Sequence, residues 1–127
     1  MAITRNSDKF TQGYVEAMFF TDTGYQENGD LENADISELS PELVTQIEKD
    51  CTEFNLKADA WLHKAYLHDK MDYTMEQAGH DFWLTRNHHG AGFWDRGLGV
   101  AGEKLTEIAH SFGEVCIYRG DDGQIHA

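Results

Sequence analysis

Proline is almost missing from this chain, cysteine is scarce and basic residues are heavily outnumbered, and each shortage removes a class of protein. The 127 residues include one proline, two cysteines and ten Lys and Arg against 23 Asp and Glu, a formal net charge of −13. Cys51 and Cys116 stand far apart without a CxxC spacing, so no disulfide framework is available and both read as buried thiols. The shortage of cations argues against direct binding to nucleic acid or to an anionic membrane, because phosphate contacts require clustered Lys and Arg. A partner protein with a basic surface suits this charge better. No run approaches the roughly 18 to 20 apolar residues of a membrane span, and Met1 to Asn6 lacks the apolar core of a signal peptide. The expected compartment is a reducing cytosol, and nothing in the sequence calls for a cofactor.

What is present is ordinary globular material. Apolar residues make up 40% of the chain and aromatics 12%, enough side-chain surface to offset chain entropy, and the length suits a single domain over 1–127. The acid is unevenly spread. Between Asp22 and Glu53 every charged residue is acidic except Lys49, whereas Arg86, Arg96, Lys104 and Arg119 are interspersed later.

Apolar spacing places a first helix at Phe10, Tyr14, Ala17 and Met18, capped by Ser7 and ending near Phe20, with a polar, glycine-containing loop over 21–33. Ser40-Pro41-Glu42 combines an N-cap, a proline at the first helical position and an acid beside the helix N-terminus. From there Leu43, Ile47, Cys51, Phe54, Ala58, Trp61, Leu62 and Ala65 hold one face for about seven turns, predicting one long helix to about His68. Thr74 to Gln77 is a capping box that predicts a short helix ending at Gly79. Residues 81–86 read as a strand, 87–92 as a glycine turn and Phe93 to Asp95 as a returning strand. Leu98, Ala101, Leu105, Ile108 and Phe112 mark a further helix stopped by Gly113. Val115 to Tyr118 and Gln124 to His126, joined by GDDG, predict a second hairpin, with calcium binding at Asp121 and Asp122 the lesser reading of that turn. The expected fold is α+β: three main helices, one of them long, with a small antiparallel sheet of two hairpins.

Chemical density peaks at HDFWLTRNHHGAGFWDR, His80 to Arg96. A divalent metal could be held by His80, His88, His89 and Asp95, with Asp81 as a further ligand or base and Arg86 as an anion clamp, the constellation of a small metal-dependent hydrolase. The spacing matches neither HExxH nor HxE followed by PCxxC, and two adjacent histidines in a glycine turn are ordinary loop residues. Trp83, Phe93 and Trp94 could instead stack on bases while Arg86 and Arg96 meet phosphates. The stronger reading makes the aromatics core, with Asp81, Asp95, Arg86 and Arg96 pairing across a sheet edge. Nucleophile elbows and Walker loops are absent, so no catalytic residue is assigned.

The acidic half supports a different reading. Glu42, Glu48, Asp50 and Glu53, with Glu32, Asp35 and Glu38 upstream, are expected on an arc away from the apolar stripe. Their carboxylates would form a negative ridge that mimics nucleic-acid phosphates, or one that merely solvates the helix.

At HDFWLTRN, HHGAGFWDRGLG and the terminal YRGDDGQI the chain resembles a family of small acidic proteins encoded by tailed bacteriophages and prophages. The resemblance runs from about Ser7 to the C-terminus and is most specific from Gln77 to Gly97. It implies a bacterial cytoplasm during infection, and it carries over no catalytic residue. The expectation is an acidic accessory protein that binds and inhibits a host nucleic-acid-processing or defence protein. The alternatives are the metal-dependent hydrolase and an assembly protein using an aromatic hairpin as its interface. The oligomeric state is open.

Overall fold

A computed structural model describes residues 8–22, 36–67, 73–89 and 91–127. Among these lie five α-helices: α1 (Lys9–Asp22), α2 (Pro41–Lys57), α3 (Asp59–Tyr66), α4 (Met75–Arg86) and α5 (Val100–Ser111). Single 3-10 turns occupy Ile36–Glu38 and Phe93–Asp95, and a two-stranded antiparallel sheet pairs β1 (Tyr118–Arg119) with β2 (Ile125–His126) in the register Tyr118 to His126. The fold is thus mostly helical, with one small sheet in place of the expected two hairpins.

Local chemistry sets several boundaries. The Asp8 carboxylate accepts from the backbone N–H of Thr11 at 2.8 Å and so caps α1, a role the sequence suggested for Ser7, which lies outside the described residues. The helix then runs past Phe20 to Asp22. Ser40 Oγ accepts from Leu43 N at 3.1 Å, with Pro41 in the first turn of α2, as the sequence predicts. Gly113, at φ +77°, terminates α5 in the left-handed region that favours glycine.

Two expected elements take a different form. The seven-turn helix is divided at Ala58, whose backbone (φ −103°, ψ 8°) leaves the helical region while its N–H still reaches Phe54 O at 2.8 Å. Neither proline nor glycine marks the break; it lets α3 lie against α5 while Leu62 and Ala65 extend the apolar stripe of α2. The helix α3 ends at Tyr66 with Leu67 as its cap, close to the predicted end near His68, a residue outside the described ones.

The second revision is larger. Thr74 Oγ caps α4 by accepting from Gln77 N at 3.1 Å, but the helix continues through Gly79 to Arg86, replacing both the stop at Gly79 and the strand at 81–86. Gly79 is there for packing. A Cβ on it would stand 1.9 Å from the carbonyl oxygen of Phe10, and one on Gly13 would stand 2.0 Å from that of Glu76, so the α1 and α4 backbones meet at two glycines. No amphipathic period betrays α4, because its buried face mixes Asp81, Thr85 and Arg86 with Ala78, Phe82 and Trp83, while Leu84 lies on the partly exposed side with Gln77 and His80. The segment after it makes a turn with His88 at φ +56° and then the 3-10 turn of Phe93–Asp95, so the aromatic hairpin does not form.

The terminal hairpin does form, but its first strand is Tyr118–Arg119 rather than Val115 to Tyr118 and its second is Ile125–His126. Its turn closes with Gly120 N donating to Gln124 O at 2.8 Å, and Asp122 is engaged within it, accepting from Gln124 N at 2.9 Å and lying 3.0 Å from His126 Nε2. These hydrogen bonds hold the Asp122 carboxyl below its ordinary pKa. Ser40 N donates to Ile125 O at 2.9 Å and joins the sheet to the start of α2. Ile117 points inward here, which turns its neighbour Cys116 to solvent; only Cys51 is the buried thiol expected of both.

At the centre, Phe54 stacks on Phe82 (ring centroids 4.2 Å apart) and on Phe93 (5.6 Å), with Phe10 beyond (5.8 Å). Ionisable groups share this interior. Burial raises the pKa of the Tyr14, Tyr66 and Tyr73 hydroxyls and of the Cys51 thiol, that of Tyr66 to about 12. In the unfolded chain they ionise near ~8.5 for the thiol and ~10 for the phenols, so above those values the unfolded state has released protons that the folded state still holds. Their contribution is complete below about pH 8.5 and falls as pH climbs towards the folded values, at up to ~1.4 kcal/mol per pH unit for each of Tyr14, Tyr73 and Cys51 and by less for the partly exposed Tyr66. Urea titrations at about pH 8 and 10.5 are expected to show a clear drop in midpoint; equal midpoints would show that these groups are hydrated.

Candidate functional site

Most of the dense segment from His80 to Arg96 is consumed in holding the helices together. Arg86, almost fully buried, donates from Nη1 to Asp50 Oδ2 at 2.8 Å and to Tyr14 Oη at 3.1 Å. Its Nε and Nη2 donate to the carbonyls of Gly113 (2.8 Å) and Phe112 (3.0 Å), just beyond the last residue of α5. One guanidinium therefore ties α4 to α1, α2 and α5. Its attraction to Asp50 and Tyr14 outweighs burial and raises its pKa, keeping it charged.

Six more residues of the segment serve the same end: Asp81, Trp83, Thr85, Asn87, Phe93 and Arg96. Asp81, with no exposed surface, receives Arg96 Nε at 3.1 Å, Arg96 Nη2 at 2.8 Å and the hydroxyl of Tyr73. Trp83 Nε1 donates to Thr21 Oγ at 2.7 Å, Thr85 Oγ accepts from Phe93 N at 3.2 Å, and Asn87 Oδ1 accepts from Val115 N at 2.8 Å. Gly92 passes so close to Thr85 that a Cβ there would lie 2.3 Å from its hydroxyl.

Several sequence expectations change accordingly. Trp83 and Phe93 are core, as the stronger reading had it, and offer no face to a nucleic-acid base; Trp94 is half exposed. Arg86 is spent inside and cannot act as an anion clamp. The expected pairing across a sheet edge is replaced by ion pairs between packed helices and turns: Arg86 with Asp50, Arg96 with Asp81, while Asp95 faces solvent.

The four residues considered for a metal do not gather into one site, although His80 and His89 line a common cleft. His80 Nε2 lies 3.2 Å from Glu16, whereas the His88 ring stacks on His110 at 4.6 Å with Glu114 3.7 Å from its Nε2. Among the described residues no group of three or more His, Cys, Asp or Glu is arranged to hold a metal ion.

Two neighbouring clefts use what remains. The first, of about 510 Å³, lies between the C-terminal parts of α1 and α4 and is lined by Ala17, Phe20, Thr21, His80, Leu84, His89 and Ala91. Its wall is almost wholly apolar. The second, of about 330 Å³, is polar and is lined by Thr74, Glu76, Gln77, His80 and Arg96. Both volumes fall within the usual range of small-molecule sites. His80 belongs to both.

The acidic ridge is thinner than the sequence suggests. Glu32 and Asp35 lie outside the described residues. Asp50 faces inward on Arg86, and Glu38 accepts from Arg119 Nη1 at 3.0 Å. Glu42 is exposed and Glu48 and Glu53 are partly so, with Lys49 between them. The signal that Asp50 belongs inside was present: it follows Leu43 by seven and Ile47 by three and precedes Phe54 by four, squarely on the apolar stripe. A carboxylate at such a position demands a buried cation.

Among protein-family models, curated proteins and solved structures, none matches this chain. No helix of the described residues is long and apolar enough to cross a membrane.

Proposed function

We propose that this protein is a non-enzymatic accessory protein that binds, through the outer carboxylates of α2, a basic surface on another protein. In the setting implied by its resemblance to small acidic phage proteins, it works in the cytoplasm of an infected bacterium, and the target is a host nucleic-acid-processing or defence protein that it inhibits. The observation that carries this reading is the net charge of −13, of which Glu42, Glu48 and Glu53 present a share along one helix. Such a field raises encounter rates with cationic surfaces and makes the complex sensitive to salt.

The test is affinity capture from bacterial lysate at low and high salt, with mass spectrometry of the retained proteins. A basic, nucleic-acid-binding protein is expected at low salt and lost at high salt. The triple substitution Glu42→Gln, Glu48→Gln, Glu53→Gln should weaken its capture and flatten the salt dependence. Capture unchanged by the triple substitution would place the contact elsewhere and end this reading.

A further inference from the structure

The apolar and polar clefts share His80 as a lining residue, with α4 contributing to both. In the polar cleft, Arg96 is held from behind. Asp81 takes its Nε and Nη2, fixing the plane of the guanidinium, while Nη1 makes no hydrogen bond among the described residues and the side chain keeps 28% of its surface exposed. A guanidinium held by a fully buried carboxylate is preorganised, so little further entropy is lost when it binds an acceptor. Around it stand the amide of Gln77, able to donate, and the ring of His80, whose Nε2 is turned to Glu16. Three carboxylates stand near this end: Glu76 lies 3.7 Å from Lys9 Nζ, Glu16 lies 3.2 Å from His80, and Asp95 faces solvent close enough to Arg96 to act on its charge. Donors at one end and an apolar trough at the other complement a molecule with an acceptor-rich head and a hydrocarbon body.

We infer that the two clefts act together as one groove and bind a small amphiphilic anion, its carboxylate or phosphate head on Arg96 and Gln77 beside His80 and its apolar body against Leu84, Phe20 and Ala17. This site is independent of the acidic face of α2, and neither result depends on the other.

The test uses the full chain, labelled with ¹⁵N, titrated below their micellar concentrations with decanoate, decyl phosphate, decanol and decyltrimethylammonium. One or both anions should shift the amide signals of Leu84, His89 and Ala91 together with those of Gln77, His80 and Arg96, and the tighter anion identifies the head. Decanol and the cation should bind at least about ten-fold more weakly, the value of one charge-assisted hydrogen bond. Leu84→Trp, which fills the apolar half, and Gln77→Glu, which places a carboxylate in the polar half, should each cost about ten-fold or more in anion affinity. Arg96→Ala is avoided because it would strand the buried Asp81. The inference is overturned if the cation or decanol binds as tightly as the anions, if shifts are confined to one cleft or fall elsewhere, or if both variants bind decanoate and decyl phosphate unchanged. Should either variant fail to fold, the comparison of head groups on the unaltered protein decides alone.

Discussion

Alanine at Gly79 is expected to destabilise this protein by about 3 kcal/mol, the upper end of what overpacking costs. The substitution improves helix propensity, and at an exposed helical site it would stabilise by roughly 0.4–1 kcal/mol. Here the sign reverses, because the new methyl would stand 1.9 Å from a main-chain oxygen of α1, and main chain cannot rotate away as a side chain can. Gly13→Ala should behave alike, meeting the Glu76 carbonyl at 2.0 Å. Since both substitutions push the same two helices apart, their costs should add to less than the sum. Urea denaturation of the two single variants and the double variant reads all three quantities. A gain in stability at either position would mean that α1 and α4 do not cross at these glycines.

Asp50→Ala should cost about 3–5 kcal/mol, the penalty for leaving one member of a buried ion pair without its partner. Arg86 cannot escape to water: Phe82 lies beneath its guanidinium at 5.3 Å, and its other donors are committed to Tyr14 and to the two carbonyls after α5. By contrast Glu42→Gln, on the exposed side of the same helix, should stay within about 0.5 kcal/mol. Denaturant unfolding of both variants separates the inward carboxylate from the outward one. A loss at Asp50 as small as that at Glu42 would show that Arg86 is hydrated and the clamp is not closed.

The contrast between these two residues shows how legible the molecule was. Ser40-Pro41, Thr74 with Gln77, and Gly113 announced their helix ends because capping is local: donor and acceptor lie within three or four residues and the sequence holds both. The stripe from Leu43 to Ala65 named the core face of two helices correctly, and the terminal hairpin followed from its glycine turn. The candidate site was read less well. Trp83 and Phe93 were recognisable as core, but the same segment's polar residues looked like chemistry when they are mostly clamps, and the clefts that use His80, Leu84, His89 and Arg96 could not be read at all. Their walls come from α1, α4 and the turn after it, brought together across more than sixty residues of chain between Ala17 and His80.

The amino-acid sequence by itself determined the charge, the capped helix starts, the apolar stripe of α2 and α3, and the final hairpin, each being a property of composition or of neighbours within a turn or two. Only the tertiary structure decided that α4 is a helix, since a buried face built from charged and polar as well as apolar side chains carries no periodic hydrophobic signal. The same is true of Gly13 and Gly79, which cost helix propensity locally and are retained where two backbones touch. It is true again of Asp50, Asp81, Arg86 and Arg96, whose side chains are exposed by composition and buried by pairing, because whether a charge can leave water depends on a partner that lies elsewhere in the chain.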